Sequence, residues 1–232
     1  MITPTLFLEK SLWEKGFKNI AGVDEAGRGP WAGPVTAASV VIHSENQIVA
    51  GVRDSKKMTK SQREKAYHKI CKKSSGYGIG IVSERDIDVL GIQKGVRKAM
   101  FLSLENLKAN FGIDISLVLV DGGKTLRLYK YKSRRIKKGG LFHYSISAAS
   151  VLAKVTRDRI MKKLARKYPY YYFSKNVGYG TKAHQEALKK HGISPIHRKS
   201  YAPIKKMLRQ NKKSDMININ LYGNTSVFAI RR

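Results

Sequence analysis

Residues 19–29 read Asn19-Ile20-Ala21-Gly22-Val23-Asp24-Glu25-Ala26-Gly27-Arg28-Gly29, an apolar run that ends in two carboxylates and a glycine-rich turn. A short apolar run closed by glycines reads as a buried strand. A second stretch repeats the arrangement: Leu117-Val118-Leu119-Val120 is continuously apolar and stops at Asp121-Gly122-Gly123. Strands of this kind belong to sheets covered by helices on both faces. Carboxylates at their ends line the crevice where α/β proteins bind ligands.

The neighbouring segments fit that frame. Val35 to Ile42 reads as another strand, and Tyr77 to Ser83 alternates as a further one. Helical character runs over Thr59 to Cys71 with Thr59 as N-cap, Glu84 to Leu90, Gln93 to Asn110, Ser145 to Lys167, and Thr181 to His191 before Gly192. In the Ser145 helix, Ile146, Ala149, Ala153, Ile160 and Leu164 mark one apolar face. Strands with interspersed helices predict an α/β fold with a mixed sheet.

The chain has 232 residues, enough for one domain with a modest appendage. We read residues 1–211 as that domain, with a C-terminal helical part. Residues 212–232 form a polar, Asn-rich tail in which Ser226 to Ile230 could add a strand. The lone cysteine, Cys71, excludes a disulfide framework and a cysteine zinc site. Leu6-Phe7-Leu8 is too short for a signal-peptide core, and the run Ala32 to Ile42 is about half a membrane span. A soluble, cytoplasmic monomer without membrane contact is the expectation.

Charge points to the partner. The formal net charge is +30. It is concentrated: residues 1–121 hold 18 basic and 13 acidic residues, whereas 122–213 hold 26 basic and 2 acidic. Lys124, Arg127, Lys130, Lys132, Arg134, Arg135, Lys137 and Lys138 crowd together, with Tyr129 and Tyr131 between them. Basic stretches with interleaved aromatics suit a phosphate backbone and its bases.

In so basic a chain the acids are informative. Asp24, Glu25 and Asp121 at two strand ends would repel one another unless a cation neutralised them. Oxygen-only donors suit Mg²⁺ or Mn²⁺, and such ions beside a phosphate backbone suggest metal-assisted phosphodiester hydrolysis. The same acids could instead cap strand ends or pair with nearby lysines. The Gly27-Arg28-Gly29 turn lets backbone approach a ligand and lets the arginine reach a phosphate or base. A plain tight turn with a surface arginine is the alternative.

Longer motifs then add a resemblance. Gly22-Val23-Asp24-Glu25-Ala26-Gly27-Arg28-Gly29-Pro30 with Gly33-Pro34-Val35 resembles the opening signature of type 2 ribonucleases H, the bacterial HII kind. Asp54-Ser55-Lys56-Lys57-Met58, Val120-Asp121-Gly122, Ser147 to Val155 (SAASVLAKV) and Arg157-Asp158-Arg159 match in the same order. So do Gly178-Tyr179-Gly180-Thr181 with His184, and Pro195-Ile196-His197-Arg198 with Ser200. The resemblance spans about residues 19–204.

It implies a ribonuclease H-like fold, with a central mixed five-stranded sheet flanked by helices. It implies an endoribonuclease that hydrolyses the RNA strand of RNA–DNA hybrids and cuts 5′ of ribonucleotides embedded in duplex DNA, using Mg²⁺ or Mn²⁺. Asp24, Glu25 and Asp121 match the metal-binding carboxylates. Gly27, Arg28 and Gly29 match the turn that contacts the ribose 2′-hydroxyl and adjacent phosphate. Lys56 matches a phosphate-contacting lysine, and Tyr179 a tyrosine that packs on the neighbouring sugar.

One departure stands out. The family's fourth catalytic aspartate falls at Gly140 in Lys138-Gly139-Gly140-Leu141, and no acid lies between residues 122 and 157. Asp158 is the nearest carboxylate, readable as a structural ion pair or as a gap-filling catalytic ligand. His143 is another possible substitute, though imidazole suits softer metals. Loss of one carboxylate leaves a second reading: a hybrid-binding protein with weakened turnover. A transposase- or integrase-like nuclease of the same fold fits the Gly27-Arg28-Gly29 turn and the tyrosine motif less well.

Overall fold

The computed structural model describes residues 2–122 and 128–210. The proposed tail 212–232, with its possible strand at 226–230, lies outside the described residues, as do Lys124 and Arg127 of the basic run. Five strands form the sheet: β1 (Ile20–Ala26), β2 (Val35–Val41), β3 (Gly76–Val82), β4 (Leu117–Asp121) and β5 (Ser133–Ile136). Their order is β3-β2-β1-β4-β5; β2 runs antiparallel to both β1 and β3, and β4 joins β1 and β5 in parallel. The sheet is mixed, as the sequence pattern predicts, and five-stranded, as the family resemblance implies.

The helices among the described residues are α1 (Phe7–Glu14), α2 (Lys60–Lys73), α3 (Glu84–Leu90), α4 (Ile92–Phe111), α5 (Gly139–Phe142), α6 (Tyr144–Lys167), α7 (Phe173–Asn176) and α8 (Lys182–His191), followed by α9 over 202–210. None of these is long and apolar enough to cross a membrane. The caps follow the sequence. Thr59 Oγ1 accepts from the Gln62 N–H, and Gln62 Oε1 accepts from the Thr59 N–H, a reciprocal capping box on α2. Gly192 ends α8 with φ of 70°.

Each sheet face has its own core. Ala21, Val23, Val35 and Ala37 pack with Val96, Met100 and Leu104 of α4. Ala38 and Val40 pack with Ala148, Ala149 and Leu152 of α6 and Ile70 of α2. The alternation Tyr77-Gly78-Ile79-Gly80 records how closely α4 approaches β3. A Cβ at Gly78 or Gly80 would stand 1.9 Å from the carbonyl oxygen of Ser103 or Ala99, so only glycine permits this packing.

The single apolar stripe expected along α6 is too narrow. Tyr144 through Ala153 are buried without interruption, because this half is enclosed by the sheet and its neighbouring helices; Ile160 and Leu164 are only half-buried. Beyond it, Met161, Phe173, Leu188 and Ile204 form a separate core for the C-terminal helices. Strand β5 is absent from the sequence reading because Ser133-Arg134-Arg135-Ile136 has a polar, basic pattern. Its pairing with β4 makes it a strand, and its charges suit a sheet edge. Within the basic run, Lys130 and Tyr131 both engage Glu105 on α4, at 3.0 Å for the lysine. That leaves Tyr129 as the exposed aromatic there.

Candidate active site

Register brings the acids together. Ile20 to Val23 of β1 pair in parallel with Leu117 to Val120 of β4, so the chain next places Asp24 beside Asp121. Side chains alternate along a strand, and Gly22 lies directly beneath α6, where a Cβ would be 2.3 Å from the Ser145 carbonyl carbon. Asp24, two residues on, shares that face. A cavity of about 290 Å³ opens at this point, lined by Asp24, Glu25 and Asp121 together with Gly27, Arg28, Lys56 and Tyr179. Seven of the nine positions singled out in the sequence thus meet in one place. Gly29 adjoins it: a Cβ built there would lie 3.4 Å from Tyr179 Cε1.

Asp158 is not brought to this cluster. Its carboxylate takes Lys154 Nζ at 2.6 Å and faces Arg63 at 4.0 Å, the geometry of a structural ion pair on α6 and α2. Lys154 itself reaches the cavity wall. His143 precedes α6 with Nδ1 buried and without a hydrogen-bond partner among the described residues, and it does not line the cavity. Gly140 does line it, and a Cβ there would lie 3.4 Å from Asp121 Oδ2.

The carboxylates are held in different ways. Asp24 Oδ1 accepts the Glu25 N–H at 2.8 Å. Burial, then the adjacent Glu25 and Asp121 charges, push the Asp24 carboxyl well above the usual carboxylate range. Burial also raises Glu25, against the pull of Arg28, whose Nη1 stands 3.1 Å from Glu25 Oε1. Glu25 Oε2 is buried and has no hydrogen-bond partner among the described residues. Asp121 receives the Gly139 N–H at 3.0 Å and the Gly140 N–H at 3.3 Å, one on each oxygen.

Among the described residues, no three His, Cys, Asp or Glu side chains close up into a complete metal site. An orphaned carboxylate oxygen and two like-charged neighbours nevertheless fit a hard cation. Mg²⁺ in particular takes one or two carboxylates and completes its shell with water and substrate phosphate.

Ser55, Ser150, His184 and His197 stand in the matched motifs, but the sequence assigned them no role as supports of this site. Ser150 on α6 tempers the Asp24 shift through its hydroxyl, which also bonds Ser55 Oγ at 2.8 Å. The loop carrying Tyr179 is fixed by two histidines. His184 Nδ1 bonds the Tyr179 carbonyl at 2.9 Å, so it carries the proton and leaves Nε2 as acceptor for His197 Nε2–H at 3.0 Å. His197 Nδ1 in turn accepts the Ser194 N–H at 2.8 Å. Both rings are neutral in this chain of bonds, and burial holds His197 down at about 4 against 6.5 for a free imidazole.

Unfolding exposes His197 to protonation, so the unfolded state binds more protons between those two values. This contribution to stability is complete above about pH 6.5 and is lost as pH falls toward 4, on the order of 3 kcal/mol in full. Thermal melts from pH 7.5 to 4.5 should show Tm falling less steeply for His197→Gln than for the unmodified chain. Parallel curves would remove His197 as the cause.

Comparison with known proteins gives one consistent answer. The profile of the family Ribonuclease HII matches residues 21–204. The ribonuclease HII of Acetivibrio thermocellus is 46% identical over 193 residues, covering 83% of this chain and 73% of that protein. That of Caldicellulosiruptor bescii is 46% identical over 194 residues, covering 84% of this chain and 91% of that protein. The crystal structure of ribonuclease H2 from Pyrococcus horikoshii superposes with a TM-score of 0.71 at 29% identity, covering 84% of this chain and 99% of the other.

Proposed function

The chain belongs to the ribonuclease HII family, divalent-metal-dependent endoribonucleases of RNA–DNA hybrids, and from that premise we propose that the cavity at the ends of β1 and β4 is its catalytic centre. The observation that carries this reading is the meeting of Asp24, Glu25 and Asp121 on one wall, with an unpartnered oxygen on Glu25. These three carboxylates would hold Mg²⁺ or Mn²⁺. Such a cation, when bound, makes water a competent nucleophile at neutral pH and offsets charge developing on phosphorus-bound oxygens.

The chain's own residues supply position. Arg28 and Lys56 stand at the cavity as cations for the phosphates flanking the cut. The Gly27-Arg28-Gly29 backbone reads the ribose 2′-hydroxyl, the group that separates RNA from DNA at one nucleotide. Tyr179, against Gly29, packs on the adjoining sugar. The substrates are RNA–DNA hybrids and duplex DNA containing a single ribonucleotide, cut on its 5′ side. Water attacks phosphorus and the bond to the 3′-oxygen breaks, leaving a 3′-hydroxyl and a 5′-phosphate. Mapping the ends of a nicked one-ribonucleotide duplex tests this. A 2′,3′-cyclic phosphate would mean attack by the 2′-hydroxyl and would overturn the hydrolytic scheme.

Gly140 favours a second reading, a hybrid-binding protein with weak turnover. The family's fourth carboxylate belongs at this position, and the cavity wall there is bare backbone. The space admits a side chain, since the added Cβ would make ordinary contact with Asp121. Gly140→Asp is therefore expected to fold and to raise the single-turnover nicking rate more in Mg²⁺ than in Mn²⁺, because Mg²⁺ demands the more regular oxygen shell. A tenfold gain would correspond to about 1.4 kcal/mol of transition-state stabilisation. A neutral Gly140→Asp combined with an inactive Asp158→Ala would instead make Asp158 the working ligand.

A further inference from the structure

Two arginines are buried beneath the Gly27-Arg28-Gly29 turn without a carboxylate ion-pair partner among the described residues. Arg198 is fully buried and Arg157 is 1% exposed. All five N–H donors of Arg198 are used. Nε donates to Gly33 O at 2.9 Å, and Nη1 to Arg28 O at 3.1 Å and Tyr201 Oη at 2.8 Å. Nη2 donates to Gly27 O at 2.7 Å and Pro34 O at 3.1 Å. The Tyr201 hydroxyl donates to Arg28 O as well. Arg157 binds Pro34 O at 2.9 Å, Ala32 O at 3.1 Å and Val177 O at 2.9 Å, tying the segment after the turn to the loop of Tyr179.

A buried guanidinium without a counter-ion is costly, and an apolar side chain of similar size would often be as stabilising. What the arginine adds is direction. Carbonyl and N–H point opposite ways across a trans peptide, and no peptide here is cis. Pulling the Gly27 and Arg28 carbonyls inward therefore turns the N–H groups of Arg28 and Gly29 outward. Arg28 and Gly29 are exposed, and neither N–H has a hydrogen-bond partner among the described residues. Gly27 adopts a φ of +99°, the left-handed region that lets the chain make this turn.

We propose that Arg198, assisted by Tyr201, is a positioning residue for ribonucleotide recognition: by anchoring the Gly27 and Arg28 carbonyls it presents two preset N–H donors to the 2′-oxygen and neighbouring phosphate. The proposal rests on the functional reading of the turn given above. It adds that specificity for the 2′-hydroxyl is set from Arg198 and Tyr201, neither of which lines the cavity. Lysine at 198 would keep the charge but could not reach both carbonyls with a rigid fork.

The test is equilibrium binding in EDTA to two duplexes identical except for one ribonucleotide, read by fluorescence anisotropy, with Tm measured alongside. The unmodified chain should prefer the ribonucleotide duplex. Tyr201→Phe should reduce that preference about three- to tenfold, the scale of one weakened hydrogen bond, with Tm and affinity for the all-DNA duplex unchanged. Arg198→Lys should abolish the preference; where it does not fold, Tyr201→Phe decides. If the unmodified chain discriminates and folded Tyr201→Phe discriminates equally well, the positioning role is wrong while the functional reading stands. If the unmodified chain neither discriminates nor nicks, the functional reading fails and this one with it.

Discussion

Asp121→Asn is expected to slow cleavage in Mg²⁺ by on the order of 10³-fold, the equivalent of about 4 kcal/mol, while hybrid affinity stays within a few-fold. The size follows from what the side chain does. Both Asp121 oxygens are oriented by backbone N–H groups of α5, at 3.0 and 3.3 Å. An amide keeps the shape but offers one acceptor, so its NH₂ would face an N–H donor and the group would rotate. The substitution thus removes a negative ligand and unsettles the geometry together. Affinity is spared because the phosphate-binding charge lies elsewhere. Single-turnover rates and anisotropy on the same hybrid check both halves. Near-normal turnover would take Asp121 out of the site.

Hybrid binding is expected to weaken on the order of 10³-fold between 50 and 200 mM salt if about six phosphates are neutralised. Residues 122–213 hold 26 cations but only Asp158 and Glu186 as acids, so most of these charges cannot pair within their own segment. Asp158 is already taken by Lys154. Arg134 on the edge strand β5, Lys162 and Arg166 on α6, and Lys182 and Lys189 on α8 are all exposed. The slope of log affinity against log salt measures how many act at the interface. A flat response would show that this charge serves something other than the nucleic acid.

What was legible in the sequence was whatever local pattern alone dictates. The apolar runs ending at Asp24 and Asp121 identified two strands and the carboxylates at their ends, and Thr59 marked a helix start through its side-chain cap. Parallel pairing of β1 with β4 was not legible from either run, yet it is what sets Asp24 beside Asp121. Strand β5 was hidden because its residues carry a basic, not an alternating, pattern. Arg198 was visible as part of Pro195-Ile196-His197-Arg198, but its five bonds run to atoms of residues 27, 28, 33, 34 and 201, most of them some 165 positions earlier in the chain. Such a role is a property of tertiary structure. Asp158 could be read two ways from its neighbours, and only the placement of Lys154 and Arg63 separates it from the cavity.

The most direct measurement is the nicking of a duplex bearing one ribonucleotide, with Mg²⁺ and separately with Mn²⁺, by the unmodified chain and by Asp24→Asn. Asp24 lies at the centre of the carboxylate group, and its shift toward the protonated form comes from burial and from the charges of Glu25 and Asp121. The account predicts a 5′ nick that requires the cation and disappears in Asp24→Asn while binding persists. Nicking that survives Asp24→Asn, or that proceeds in EDTA, would contradict it.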